Sequence, residues 1–534
     1  MKKVVHLLLL TLLPYFVFAQ IKLVNNTKVE VGKPYPVIDA MEKHYIPQND
    51  ELYTFKKFKE ELFVQKFNTE SLSLETIRTY TDFPEHYVIE HIGVFFDKCL
   101  LFYSVWDKKN NKEQLFYREL DMETGQFINK GTFLFSVNDK VSGQHSATGK
   151  FYGIEISDKF KFESSYDDQN LLIRYRKIPI IKNDDKNYDV IGLHVYDIWM
   201  NSLWEKEVKM PYTEGKMDNL DYYVNDKAEV IILARVFNDN SHEMKIVKGR
   251  ANYRLELLKI TKDNSNITNT SISLGAKMIN SISLFQTNDN NLILGGYYAE
   301  KKPGSADGLF CLNIDEDGKT LNKMTYEFPL SFLNQNATNK EERKNNRKGK
   351  KDKAEYVYLF MRKIVVSADG SVTLIGEQSY SVYVYNGRSS YTDYFYRDMV
   401  ISKIDKSGKL LWNKKLPKFQ KGRDSGRNDM SFKHFFGNGN HYFLFLDNVR
   451  NKDLKRDERP KIHASGQGGW LTAYIVNSET GDVSKSYILD SREVKGIAVY
   501  QFNTHRISKI SDNSFVVEVY KKKKEDVLIK VEIE

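Results

Sequence analysis

The stretch Asp398–Lys418, DMVISKIDKSGKLLWNKKLPK, decides the fold of this chain. An apolar-alternating run leads into Asp405–Gly408, and a second run leaves through Leu410–Trp412. This pattern predicts a tight β-hairpin, because Asp can cap its own turn and Gly supplies the positive φ that the turn requires. Versions of the same hairpin recur along nearly the whole chain, which indicates a repeat array.

Two kinds of turn alternate along the chain. The first is a cluster of Asn, Asp and Gly before a strongly apolar strand, such as LLFYSV, EVIILARVF or HYFLFLD, and these strands are typical of inner strands buried on both faces. The second turn often has the form Asp-x-x-Gly. The first kind occurs near Asn49, Asp97, Asp167, Asn225, Asn288, Ala368, Gly437 and Ser511, and the second near Asn68, Asp121, Asp197, Thr261, Asp315, Asp405 and Asn477.

A four-stranded antiparallel unit with strands A to D uses one turn of each kind. Eight turns of the first kind and seven of the second therefore predict eight units, of which the last stops after strand C in VLIKVEIE. Ile21–Val31 is the candidate for the missing outer strand, and its addition would close a ring and remove free edges. The predicted fold is all-β, a single-domain β-propeller of eight four-stranded blades over residues 20–534. A seven-bladed ring is the alternative, because blade 1 is short and blade 3 is irregular.

The segments ISKIDKSGKLLWNKKL and ELDMETGQFINKG resemble the repeats of quinoprotein-like propellers, whose blades end in Asp-x-x-Ser/Thr-Gly-x-x-x-Trp. The resemblance implies that Trp204 and Trp412 dock between neighbouring blades. The family includes quinone-dependent dehydrogenases and non-enzymatic scaffold propellers of the Gram-negative envelope. The dehydrogenases stack their quinone on a vicinal Cys-Cys disulfide, whereas Cys99 and Cys311 are far apart in this sequence. We therefore expect the non-enzymatic type, without a cofactor.

Residues 1–19 predict a secretory signal peptide. Lys2 and Lys3 precede the apolar run Val4–Phe18, and cleavage is expected before Gln20. The run is shorter than the roughly 20 residues of a membrane span, and no Cys follows the cleavage point directly. We expect an exported protein of the periplasm or the medium, not a lipoprotein, with an N-terminal anchor as the alternative that the length disfavours.

The cysteines and histidines predict neither a disulfide framework nor a metal site. Cys99 and Cys311 lie in predicted strands and are expected to be buried thiols, with one long-range disulfide as the alternative. The 11 histidines show no HExxH or similar spacing.

Positive charge is concentrated in one segment. Asn339–Lys353 contains eight Lys or Arg and three acidic residues, in a chain of formal charge +9. A nucleic-acid groove would spread its charge over a face and interleave aromatic residues. We therefore predict a solvated basic loop within an insertion at about residues 331–355, and no nucleic-acid partner.

The long connections of a propeller are the usual place for function. By the predicted register all of them share one face, and two are richest in contact residues: Gln378–Tyr394, a hairpin turned at Asn386-Gly387, and Asn448–Gly469. The alternatives are a hairpin whose tyrosines only pair with one another and a solvated loop. The candidate binding residues are Tyr383, Tyr385, Arg388, Tyr391, Tyr394, Arg450, Arg456, Arg459, His463 and Trp470.

These features favour an exported, non-catalytic propeller that binds a protein, a glycan or another anionic partner of the cell envelope. We expect a monomer without a transmembrane span. One alternative is a propeller-type hydrolase or lyase acting on polysaccharide or peptide, with carboxylates and a His at the channel mouth. Another is a structural module of a larger complex.

Overall fold

Eight antiparallel sheets follow one another along the chain in a computed structural model, and they form the ring of eight blades that the alternating turns predict. The structure describes residues 22–23, 27–40, 42–148, 153–179, 184–264, 266–287, 291–300, 302–315, 318–350, 356–423, 430–452, 454, 458–464, 468–491, 493–494, 497–501, 503–521 and 524–534. The predicted signal peptide, residues 1–19, lies outside this set.

Three short strands at the beginning of the described chain belong to blades at its other end, and blades 1 to 3 follow them. The three are β1 (Lys22–Leu23), β2 (Thr27–Val31) and β3 (Tyr35–Pro36). Blade 1 contains β4 (Glu42–Gln48), β5 (Glu51–Phe58), β6 (Glu61–Asn68) and β7 (Ser73–Tyr80). Blade 2 contains β8 (Val88–Phe95), β9 (Lys98–Asp107), β10 (Lys112–Asp121), β11 (Gln126–Phe127) and β12 (Thr132–Asn138). After the hairpin β13 (Gln144–Thr148) and β14 (Gly153–Ser157), blade 3 contains β15 (Phe160–Ser164), β16 (Leu171–Arg176), β17 (Tyr188–Tyr196) and β18 (Ser202–Thr213).

Blades 4 and 5 have extra short strands between their second and third main strands, two in blade 4 and one in blade 5. Blade 4 contains β19 (Met217–Val224), β20 (Val230–Phe237), the small hairpin β21 (Ile246–Val247) and β22 (Arg250–Ala251), then β23 (Tyr253–Ile260) and β24 (Thr268–Ile272). Blade 5 contains β25 (Met278–Gln286), β26 (Leu292–Ala299), β27 (Ser305–Ala306), β28 (Gly308–Ile314) and β29 (Thr320–Glu327).

The connection from blade 5 to blade 6 holds two helices, and blade 6 has the longest strands. The connection contains α1 (Leu330–Leu333), α2 (Asn339–Gly349) and β30 (Tyr356–Val357). Blade 6 contains β31 (Leu359–Val366), β32 (Val372–Tyr385), β33 (Ser390–Ile404) and β34 (Leu410–Leu416), extended by β35 (Gln420–Arg423).

Blades 7 and 8 complete the ring. Blade 7 contains β36 (Lys433–Gly437), β37 (Asn440–Asp447), β39 (Trp470–Asn477) and β40 (Val483–Asp490), with β38 (His463–Ala464) in its longest connection. Blade 8 contains β41 (Glu493–Val494), β42 (Ile497–Gln501), β43 (Ile507–Lys509), β44 (Ser514–Lys521) and β45 (Glu525–Ile533).

The N-terminal strand β2 completes the last blade, as the sequence predicts. It pairs antiparallel with β45, from Thr27 opposite Ile533 to Val31 opposite Ile529. The preceding β1 pairs parallel with β40 of blade 7. The N-terminal segment therefore joins two neighbouring blades while it closes the ring and covers the outer edge of blade 8.

The hydrophobic core is divided among the seams between blades, because both faces of each sheet are covered by neighbours. Among the described residues, eight hydrophobic clusters can be distinguished, and each joins two consecutive blades. Trp204 and Trp412 each lie in one of these seams, and their indole N–H groups donate to backbone oxygens of the next blade, Ala228 at 2.7 Å and Ser478 at 3.2 Å. The two tryptophans thus tie strand D of one blade to a turn of the next.

Candidate binding face

Five long connections emerge on one face of the ring. In each blade the A–B and C–D turns lie at one end of the strands, and the B–C connection lies at the other end with the connection to the next blade. The long B–C connections of blades 3, 4, 6 and 7 and the connection from blade 5 to blade 6 therefore share a face, as the sequence predicts. We call it the long-loop face. The described residues of its connections fall within 177–189, 238–252, 378–394, 448–469 and 331–355.

The strands β32 and β33 form a hairpin that projects beyond the body of blade 6. They remain paired as far as Tyr385 and Ser390. The Asn386 Oδ1 atom accepts hydrogen bonds from the backbone N–H groups of Arg388, at 3.1 Å, and Ser389, at 2.8 Å. Gly387 takes a positive φ of 84°. The turn predicted at Asn386-Gly387 is therefore present, and its own hydrogen bonds order the tip of the hairpin.

The five candidate residues of this hairpin divide between its two faces and its tip. Tyr383 and Tyr385 are each 68% exposed and lie on the same face as Tyr394, because side chains alternate along a strand and directly opposite residues share a face. Tyr391 lies on the opposite face. Arg388 is exposed in the turn. The hairpin thus presents two exposed tyrosines on one side and a more enclosed one on the other.

The strand β35 supports the Tyr391 face of the hairpin. The Arg423 guanidinium lies 3.7 Å from the centroid of the Tyr391 ring, and its Nε donates to Asp393 Oδ1 at 3.2 Å. Lys421 Nζ pairs with Asp393 Oδ2 at 2.8 Å. Burial alone would raise the pKa of Asp393, but the hydrogen bonds and charges of the two cations lower it below its usual range. The sequence did not predict this support, because Gln420–Arg423 has the pattern of a linker. Only its pairing with β33 identifies it as a strand.

His463 does not belong to the accessible surface, which corrects its choice as a contact residue. Its strand β38 pairs parallel with β35, and the side chain is only 2% exposed. The backbone N–H of His463 donates to the Phe419 carbonyl oxygen at 2.9 Å. The glycines that follow His463 in the sequence suggest a loose loop, whereas the pairing of β38 with β35 places His463 in the extended sheet of blade 6, where its side chain is buried.

The remaining candidates in residues 448–469 have different surroundings. Arg450 is exposed, and Arg456 lies outside the described residues. Arg459 is half-exposed, but its guanidinium forms an ion pair with Glu341 of α2. Trp470 is partly buried beneath Lys452, whose Nζ lies 5.1 Å from the ring centroid. Among the described candidates of this connection, Arg450 is therefore the cation that is exposed and forms no ion pair within the described residues.

The basic insertion contains a helix, where the sequence analysis predicted a loop. The helix α2 begins with a capping box, in which the Thr338 side chain accepts from the Glu341 backbone N–H and the Glu341 carboxylate accepts from the Thr338 backbone N–H. No residue of α2 is buried. The helix carries five basic and two acidic residues, and the exposed cations that form no ion pair within the described residues are Lys340, Arg343, Lys344 and Arg347.

The helical insertion is anchored to the outer strand of blade 6. Asn336 Nδ2 donates to the Lys415 carbonyl oxygen at 3.1 Å, and Lys415 Nζ donates to the Leu333 carbonyl oxygen at 3.0 Å. Burial lowers the pKa of Lys415. The basic helix is therefore held at the outer strand of blade 6, on the long-loop face.

A second group of basic side chains lies on the inner strands of blades 6 and 7. Lys363 and Lys433 form no ion pair within the described residues, and burial lowers the pKa of both ammonium groups. His434 Nε2 and His441 Nδ1 share a hydrogen bond of 3.1 Å. Burial and the charges of nearby lysines lower the pKa of His434 to about 2 and that of His441 to about 4. The pair is therefore neutral at pH 7.

Cys99 and Cys311 are both free and buried, as predicted. Burial raises the pKa of each thiol to about 12, so neither is a reactive thiolate at neutral pH. Among the described residues, no three His, Cys, Asp or Glu side chains are grouped so that they could hold a metal ion. No helix in the described ranges is both long and apolar enough to cross a membrane.

The comparisons with known proteins bear only on the fold of the chain. No family model and no curated protein matches the chain. Similar solved structures include the Dos1 propeller, at 11% identity over 94% of both chains with a TM-score of 0.38. They also include the polysaccharide lyase Uly1, at 11% identity over 90% of this chain and 89% of that one, TM-score 0.34. The WD40 domain of SCAP from fission yeast shares 8% identity over 95% of both chains, TM-score 0.35.

Proposed function

We propose that this protein is an exported, non-catalytic β-propeller that binds an anionic protein or glycan of the cell envelope through its long-loop face. The observation that carries the proposal is that two exposed tyrosines of blade 6 and the uncompensated basic helix α2, in the connection from blade 5 to blade 6, emerge on the same face of the ring. Tyrosine supplies contact area with a polar tip, and unpaired cations attract anionic partners. The Asp-x-x-Ser/Thr-Gly-x-x-x-Trp turns support placing the chain with the non-enzymatic quinoprotein-like propellers.

The proposal is tested by capturing partners from the envelope fraction of the producing cell. In the test variant, residues 383–392 are replaced by an Asn-Gly turn, so that the pair Val382–Asp393 and the ion pairs of Asp393 remain. The control variant is Tyr166→Ser, which removes a 44% exposed tyrosine from the opposite face.

The expected result is a partner that is captured by the wild type and by the control and is lost with the shortened hairpin. Circular dichroism and the melting temperature should show that all three proteins are folded. Capture that is equal with and without the hairpin, and equally strong at high salt, would overturn the proposal. Turnover of a polysaccharide or a peptide by the wild type would replace it with the enzymatic alternative.

A further inference from the structure

The upper half of strand β32 has one edge without a neighbouring strand. β31 pairs with β32 only from Leu359 opposite Gln378 to Val366 opposite Val372. Beyond Gln378, β32 continues to Tyr385 and pairs with β33 on its other side alone. Within the described part of the chain, no strand pairs with residues 380–385 on the side that β31 leaves open.

Two hydrogen bonds show which backbone groups point to this open edge. The Ser379 N–H donates to the Tyr358 carbonyl oxygen at 2.9 Å, on the β31 side. The Asn386 N–H donates to the Ser389 carbonyl oxygen at 3.2 Å, across the turn. Because successive residues of an antiparallel strand direct their N–H and C=O groups to opposite sides, the odd-numbered residues face the edge. Three N–H and three C=O groups are therefore presented there, by Ser381, Tyr383 and Tyr385.

The sequence of this edge has none of the usual protection. Residues 379–385, SYSVYVY, combine high β-propensity with no charge and no proline. Exposed edges are normally blunted by Lys, by Pro or by a bulge, because they pair readily with other chains. The register shift in β32 lies between Glu377 and Ser379, below the exposed part. The edge is therefore a ready template for another strand.

We propose that an extended segment of a partner polypeptide, flanked by acidic residues, adds to this edge as a further strand. The inference rests on the proposed function, since it names the kind of partner that the long-loop face binds. A row of backbone donors and acceptors in strand register matches another polypeptide backbone, which carries amides at the same spacing. The supporting sheet of β33, β35 and β38 holds the edge in place.

The charges of the long-loop face select the partner's chemistry. The unpaired cations of α2 lie on this face. Two copies of the chain would each carry these like charges on the faces that meet, which opposes self-association. An acidic segment gains from the same charges, so it fits the face better than a second copy does.

The test uses purified full-length protein and a phage-displayed library of random linear twelve-residue peptides. A selected peptide is then synthesised and its affinity measured by fluorescence anisotropy. Ser381→Pro removes one N–H at the open edge and leaves the β33 ladder intact, because proline is tolerated where the N–H faces solvent. Ser381→Ala keeps that N–H and is the matched control. We expect enrichment of acidic peptides, about tenfold or greater loss of affinity with Ser381→Pro, and no loss with Ser381→Ala.

A second measurement on the wild type does not depend on any variant folding. Residue-resolved hydrogen exchange should show slowed exchange at Ser381, Tyr383 and Tyr385 when the peptide is bound. The amides of Val382 and Val384 should change little, because β33 already holds them. Uniform protection, or none, would overturn strand addition.

The outcomes separate this inference from the proposed function. Peptides that bind Ser381→Pro as well as wild type would overturn edge pairing, while loss of binding on hairpin truncation would leave the proposed function standing. Concentration-dependent dimers that Ser381→Pro abolishes would identify a second copy as the occupant and overturn the acidic partner. Failure to select any peptide that depends on the hairpin would also overturn the inference.

Discussion

The Lys56 ammonium and the Glu518 carboxylate, 462 positions apart in the sequence, form a fully buried ion pair at the seam where blade 8 meets blade 1. The hydroxyl groups of Tyr35 and Tyr45 each donate to the same carboxylate at 2.6 Å. Although burial alone would raise the pKa of Glu518, the charges of Lys56 and Lys43 and these hydrogen bonds lower it to about 2. The hydrophobic cluster of this seam is small, so polar contacts reinforce the closure of the ring.

Lys56→Met should destabilise the protein by about 3 kcal/mol, because it removes one partner of a buried pair and leaves a buried carboxylate short of positive charge. Lys28→Ala, which breaks an exposed pair with Glu30, is the control and should cause no measurable change. Chemical denaturation at pH 7 measures both. A loss for Lys56→Met no larger than that of the control would show that the closing seam does not depend on this pair.

Acidification should destabilise the fold in a window set by the buried histidines. The pKa of His441 is about 4 in the folded protein and about 6.5 in an unfolded chain. Because the folded pKa is lower, the unfolded state binds more protons, and stability falls as the pH drops from about 6.5 towards 4. His91 and His194, also lowered to about 4 by burial, add to the loss.

The measurement is denaturant unfolding at a series of pH values between 7.5 and 4.5. His441→Gln should make the free energy of unfolding depend less steeply on pH than in the wild type. His91 and His194 are still present in this variant, so part of the pH dependence should remain. His86→Gln, in which an exposed ring is replaced, should leave the profile unchanged. An unaltered slope in His441→Gln would contradict the assignment.

Trp412→Ala should cost about 3 kcal/mol, because it empties space in the seam of blades 6 and 7 and leaves the Ser478 carbonyl oxygen without its indole donor. Trp412→Phe should cost less, since it keeps an aromatic ring. The matched control is Trp199→Ala, in which a 69% exposed indole is removed. Melting temperatures of the three variants provide the comparison, and equal melting points for Trp412→Ala and Trp199→Ala would rule out a docking role.

Partner binding should depend on the charges of α2 and weaken with salt. Replacing Lys340, Arg343, Lys344 and Arg347 by Gln should reduce binding and flatten its salt dependence, because screening acts on these unpaired charges. The control variant carries Gln at four exposed lysines of the opposite face, Lys262, Lys319, Lys406 and Lys409. Affinity titrations at 50 and 300 mM salt compare them. Equal effects of the two sets would mean that only net charge matters.

The repeat, the ring and the outline of the hairpin could be predicted from the sequence alone. Turn conformation depends on the residues of the turn itself. Asp405–Gly408 and Asn386-Gly387 therefore predict their turns independently of the surrounding structure. The number of such turns predicted eight blades. The N-terminal strand β2, which the turn count left without a blade, pairs with β45. The helix α2 also had a local signal, the Thr338 and Glu341 capping box, which the concentration of charge obscured.

Only the tertiary structure decided the contacts between distant segments. No local sequence pattern predicts the ion pair of Arg459 with Glu341 or that of Lys56 with Glu518. The residues of each pair come together only when separate parts of the ring pack against each other. The burial of His463 and the strand β35 arise in the same way, from pairing with an extended neighbour. The open edge of β32 is likewise a property of the assembled sheet, since a strand's free side is defined by which strand ends beside it.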